Sequence, residues 1–351
     1  MSPPPYTPEE HRFTSTGIRF WRHQEQMESY RAGTGHTVIS THISPEGRCN
    51  LKCPYCSVAY RDTHSHIPLP TIKQYVTDLM TRGLKAVILT GGGEPTAYKH
   101  FNELVDFLWL EKKLKIGLIT NGTLTHKVTA ESWRAFAWVR ASINIFDGWE
   151  ERIKLPVDLL SPDCVVGCST IYTARHQGGA MNNLEMLRKA AKVADRCGAK
   201  YVRLAPDCQL PQAELLESHA ALERDLHALG DARFFHQHKV HQVPACGTCH
   251  QSYFRPYLSE EKNRWNGLPG TVFPCDSVVL NRGIRYFAER YQLCPAADVL
   301  DYLDGKIKAG FDPRKHCSGC VFTHNVNLLN EWKETGQGKF EKWPMAHEEF
   351  V

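Results

Sequence analysis

The sequence predicts an α/β protein: a partial (β/α)6 barrel of parallel strands followed by a small cysteine-rich module. Three observations carry this reading. Strand-like and helix-like runs alternate from about residue 37 to about 229. A cysteine loop and a glycine-rich turn follow the first two strands, at the carboxyl ends where open parallel sheets hold ligands. After about residue 232 the texture changes to short runs dense in histidine, cysteine, glycine and proline. The expected organisation is an N-terminal extension over 1–37, a barrel over 38–232 and a smaller module over 233–351.

Taken in order, "TVISTHIS" (37–44) alternates and is β-branched, so it reads as a strand running into the cysteine loop. Ile72, Tyr75, Val76, Leu79 and Met80 repeat at helical spacing, with Gly83 as a stop signal. "KAVILT" (85–90) is a continuous apolar run ending in "GGGEP", a buried strand and then a turn. A helix face at Phe101, Leu104, Val105 and Leu108 precedes the strand "KIGLIT" (115–120). The helix "TAESWRAFA" (129–137) and the strands "WVRASINI" (138–145) and "CVVGCSTIY" (164–172) come next. Leu184, Leu187, Ala191 and Ala194 mark a helix closed by Gly198, "KYVRLAP" (200–206) a sixth strand, and 213–229 a last helix. Repeated strand–helix units imply right-handed crossovers in one parallel sheet. The extension, with Trp21, Arg22, His23 and Tyr30, is expected to pack on the barrel.

Composition narrows the function. At 351 residues and 42% hydrophobic, the chain can bury one large core plus a smaller module. A net charge of +4 without a dense Lys/Arg stripe gives no reason to expect a nucleic acid partner. No run of about 18 apolar residues suggests a membrane span. The start "MSPPPYTPEEH" lacks the regions of a secretory signal, which points to the cytoplasm. There the 13 cysteines are expected to be reduced, and clustered ones read as metal ligands. Cys164, Cys168, Cys197 and Cys208 lie in apolar or helical surroundings and read as small buried hydrophobes.

"GRCNLKCPYC" (47–56) places Cys49, Cys53 and Cys56 in one loop. A closed zinc site needs four ligands, and no fourth is near. Three thiolates on a cubane iron–sulfur cluster would leave one iron open to an outside ligand. The stretch resembles the signature of the radical S-adenosylmethionine (SAM) superfamily, CxxxCxΦC, with Tyr55 at the aromatic position. The resemblance continues through "GGGEP" (91–95), "TNG" (120–122), "RASIN" (140–144) and "VRLAP" (202–206). It implies a [4Fe–4S] cluster on Cys49, Cys53 and Cys56, and SAM contacts from Tyr55, Gly92, Gly93, Glu94, Ser142, Asn144 and Arg203. It also implies reductive SAM cleavage to a 5′-deoxyadenosyl radical that abstracts hydrogen from substrate, with a one-electron donor such as flavodoxin or ferredoxin as partner.

Cys249, Cys275, Cys317 and Cys320, with "GTVFPC" (270–275) before a later CxxC, resemble the twitch module, a shortened SPASM extension holding one auxiliary [4Fe–4S] cluster. Zinc fits the same four ligands, and Cys246 can stand in for Cys249. His236, His238, His241 and His250 are expected to be solvated or to tune a ligand rather than bind metal. Cys246, at the junction of barrel and module, is a candidate hydrogen donor; Cys294 has no assigned role. The leading function is oxidation, cross-linking or epimerisation of a small molecule, sugar, nucleotide or peptide. With 48 residues before Cys49, too few for a separate leader-peptide-binding domain, the small-molecule reading is favoured. The alternative is a zinc-bearing nucleic-acid-binding protein on a decayed barrel.

Overall fold

The structure, a computed structural model, describes residues 6–173, 183–239, 242–280, 287–338 and 345–351. Strands β1 (Ser40–Ile43), β2 (Ala86–Leu89), β3 (Lys115–Thr120), β4 (Phe136–Ser142), β5 (Val165–Tyr172), β6 (Tyr201–Pro206) and β7 (Phe234–His236) lie side by side in chain order, all parallel. The sequence reading stops at six strands; the seventh is three residues long, too short to show a period.

The C-terminal module continues the same sheet. Strand β8 (Tyr257–Lys262) pairs parallel to β1, β9 (Pro269–Phe273) folds back antiparallel on β8, and β10 (Cys294–Pro295) pairs antiparallel with β9. The boundary expected at residue 232 therefore crosses one ten-stranded sheet.

The crossover helices follow their apolar spacing. Leu69–Met80 turns Leu69, Ile72, Tyr75, Val76 and Leu79 to the core, each worth about 1.5–3 kcal/mol of transfer free energy. Asn183–Arg196 buries Met186, Leu187, Ala190, Val193 and Ala194, and Gly198 ends it at φ +60°. The helix expected over 129–137 is shorter, Ala130–Arg134, capped by Thr129, whose hydroxyl accepts from the Ser132 amide. Phe136 already belongs to β4, where its ring packs edge-on against Trp133, 5.6 Å between centroids.

The described residues of the N-terminal segment and residues 345–351 pack on the amino-terminal side of the barrel. Phe13 stacks on Tyr201 at 4.3 Å, and the Arg19 guanidinium donates to the carbonyls of His11, Arg12, Thr14, Ala346 and His347. Phe20, Met27, Tyr30, Ile39, Phe254, Leu329, Trp332 and Val351 form a second apolar cluster there. No helix among the described residues is long and apolar enough to cross a membrane.

Candidate active site

The loops after β1 and β2 are laced together. The Gly93 amide donates to the Glu46 carbonyl and the Glu94 amide to the Arg48 carbonyl, both at 2.9 Å. A side chain on Gly93 would collide with the backbone of residues 46–48, which is why glycine stands there. The result is one pocket of about 800 Å³, lined by Cys49, Cys53, Cys56, Tyr55, Gly92, Gly93, Glu94, Ser142 and Asn144. Nine sequence-predicted site residues thus share a wall at the carboxyl ends of the strands.

The three thiols have polar neighbours of the kind that tune a metal-bound sulfur. The Leu51 amide donates to Cys49 Sγ at 3.4 Å and the Asn121 amide nitrogen at 3.8 Å; Arg61 donates to Cys56 Sγ at 3.5 Å. Cys53 Sγ and the Tyr55 hydroxyl both donate to Asn144 Oδ1, at 3.5 and 3.1 Å. Gln209 holds the loop from the far side, donating to the Tyr55 carbonyl at 2.9 Å. Burial pushes the Cys53 thiol up to about 12 and raises that of Cys49, so metal binding must displace their protons.

Glu94 is 3% exposed, and its carboxylate already accepts four hydrogen bonds. They come from the Thr96 amide (3.2 Å) and hydroxyl (2.7 Å), the Thr120 hydroxyl (2.6 Å) and the Asn121 amide (2.7 Å). Its side chain pins the end of β2 to the end of β3 while lining the pocket. Arg203 stands elsewhere: it lines a second cavity deeper in the barrel.

Sequence reasoning missed Asp207, Cys208 and Gln209 after β6, Lys239 after β7, and Asp276, Ser277, Val279 and Leu280 after β9, all on the pocket wall. Their position just past strand ends was the available signal. Cys208, read as a buried hydrophobe, is a correction: it is half-buried and lines the pocket.

Cys249, Cys275, Cys317 and Cys320 surround one small cavity walled by Pro244, Phe311 and Val326. Cys246 lines neither this cavity nor the pocket; its thiol donates to the Thr248 carbonyl at 3.2 Å. Cys294 is fully buried in β10. Of the histidines expected to be solvated or to tune a ligand, His236 and His250 are buried, at 6% and 7% exposed. Burial follows from partners, His219 for His236 at 2.6 Å, and Tyr30 and Asn330 for His250 at 2.7 and 3.1 Å. His238 is half-buried against Glu10, and His241 lies outside the described residues.

Residues 43–193 match the family model described as "Radical SAM superfamily". Over 86 residues, 24% of this chain and 30% of the relative, the chain is 34% identical to an "S-adenosylmethionine-dependent nucleotide dehydratase" of Selenomonas ruminantium. Over 91 residues, 25% of this chain and 28% of the relative, it is 33% identical to a "GTP 3′,8-cyclase" of Synechocystis sp.. The chain thus spans less than a third of the length of these curated relatives. Among solved structures, Streptococcus suis SuiB bound to S-adenosylmethionine has the same fold, with a TM-score of 0.53 and 16% identity, over 88% of this chain and 79% of that one. The family match, together with the three-cysteine loop and "GGGEP" on one pocket wall, identifies residues 43–193 as a radical SAM domain, of a superfamily that uses a [4Fe–4S] cluster and SAM.

Proposed function

We propose that the chain is a radical SAM oxidoreductase in which Cys49, Cys53 and Cys56 hold the SAM-binding cluster and Cys249, Cys275, Cys317 and Cys320 hold a second, auxiliary [4Fe–4S] cluster. When bound, cluster and SAM supply a carbon-centred oxidant at the 5′ position of deoxyadenosine. The protein's own part is to orient SAM and to screen the pocket from water. Backbone at Gly92 and Gly93 approaches the ligand without side chains, Tyr55 offers an aromatic face, and Ser142 and Asn144 add polar contacts from the end of β4.

One observation carries the oxidative reading. Cys275 faces the four-cysteine cavity while its neighbour Asp276 faces the main pocket, and Ser277 lines both. An electron acceptor at the four thiols would share a wall with the substrate, which favours net oxidation or bond formation over epimerisation.

The test is metal analysis after anaerobic reconstitution with iron and sulfide. A Cys317→Ala/Cys320→Ala variant is expected to lose about half the iron of the wild type, as two four-iron sites require. Unchanged iron, with zinc lost instead, would contradict the auxiliary cluster. A flavodoxin or ferredoxin as electron donor and a cytoplasmic location belong to the same proposal.

A further inference from the structure

Beneath the main pocket the barrel encloses a second cavity of about 140 Å³, and its walls are strongly cationic. Arg12 and Arg19 reach it from the N-terminal segment, Arg140 from β4, Arg203 from β6, Lys239 from beyond β7 and Arg255 from just before β8; the one carboxylate lining it is Asp276. The volume is many times the roughly 10–15 Å³ that one water needs, so the space takes a polyatomic group.

Of the six cations, Arg19, Arg140 and Arg255 have hydrogen-bonded protein partners, although Arg255 Nη2 makes no hydrogen bond. Arg140 donates to the Tyr201 hydroxyl (3.1 Å) and the Phe13 carbonyl (3.0 Å). Arg255 donates to the Val351 carbonyl (2.9 Å), lies 3.7 Å from Asp276 and sits 4.6 Å over the Phe322 ring. His42, 3.7 Å from the same Asp276, has no hydrogen bond at either ring nitrogen, and burial lowers it to about 3, so it adds no charge near neutrality. Among the described residues, the side chains of Arg203 and Lys239 make no hydrogen bond or ion pair. Burial lowers the Arg203 guanidinium to about 9 and the Lys239 ammonium below its ordinary value, the cost of holding charge there unpaired.

Arg203 and Lys239 are half-buried, and the one carboxylate near them, Asp276, is shared with Arg255 and His42, so both are short of counter-charge, which is costly. Such a pair persists where an anion completes it, and a guanidinium fork matches carboxylate or phosphate oxygens two at a time. The cavity is also connected to the chemistry: Lys239 and Asp276 line both it and the main pocket.

We propose that this cavity anchors the substrate, and that the substrate is a small molecule carrying a phosphate or carboxylate group gripped by Arg203 and Lys239, with its reacting carbon in the larger pocket. The proposal rests on the radical SAM reading of that larger pocket. It assigns Arg203 to the substrate rather than to SAM.

The test is titration of the reconstituted, SAM-loaded full chain with tripolyphosphate and, separately, with citrate, followed by calorimetry and by thermal melting. The wild type binds at least one probe and melts higher with it. Arg203→Gln and Lys239→Gln each bind that probe at least tenfold more weakly. Without any probe, both variants melt no lower than the wild type, because each loses a half-buried charge that makes no hydrogen bond or ion pair among the described residues. Preference for tripolyphosphate identifies a phosphorylated substrate, and preference for citrate a carboxylated one. Failure of the wild type to bind either probe, unweakened binding in both variants, or variants that melt lower without probe would overturn the proposal. SAM binding by the wild type is scored with no anion present. Its absence would sink the reading of the larger pocket while leaving the anion result to stand alone.

Discussion

Glu94 shows how a motif residue can carry more than its motif suggests. Read in the sequence, it is a SAM contact implied by resemblance. In the fold, its two oxygens accept from Thr96, Thr120 and Asn121, so the same side chain fastens the glycine turn to the end of β3. Replacing Glu94 with alanine would leave those buried donors without an acceptor, a loss of about 3 kcal/mol. The expected outcome is a lower melting temperature together with weaker SAM binding, with Glu94→Gln falling between the variant and the wild type. Weaker SAM binding at unchanged melting temperature would make Glu94 a ligand contact alone. At this scale the sequence was most informative where function sits in contiguous residues. Cys49, Cys53, Cys56 and "GGGEP" announce themselves because the chemistry needs them within one loop. Arg140, Arg203, Lys239 and Arg255 do not, because each is one polar residue in a separate strand or loop and only the closed sheet brings them together.

At the scale of elements, β8 is the part least visible in the sequence. Leu258, Ser259 and Glu260 are buried although two of the three are polar, because the strand inserts beside β1 instead of lying at an outer edge. Glu260 then lies against the "GGGEP" turn, where a side chain on Gly92 would strike its carboxylate. Burial raises the Glu260 carboxyl from 4.5 to about 7. The folded state therefore binds the extra proton between those values. Stability should fall as pH rises from about 4.5 to 7, by on the order of 3 kcal/mol. In melting curves across this range, Glu260→Gln is expected to flatten the decline and to exceed the wild type in stability at pH 8. Identical pH slopes for the two proteins would show that Glu260 ionises freely.

At the scale of the whole molecule, the alternation of strands and helices made the parallel barrel legible, since each crossover needs a helix with one apolar face. The continuity between barrel and C-terminal module was not, because two- to six-residue strands such as β7, β8 and β10 carry no period. That continuity matters for function: it sets the Cys275–Ser277 segment between the four-cysteine cavity and the main pocket. SAM cleavage in the pocket above the barrel is the proposal on which the others depend. It is tested most directly by quantifying 5′-deoxyadenosine after the anaerobically reconstituted protein is mixed with SAM and dithionite. The wild type is expected to form 5′-deoxyadenosine and Cys53→Ala none, with the circular dichroism of the variant unchanged. A wild type that holds its iron and sulfide yet forms no 5′-deoxyadenosine, or a Cys53→Ala variant that forms as much, would contradict it.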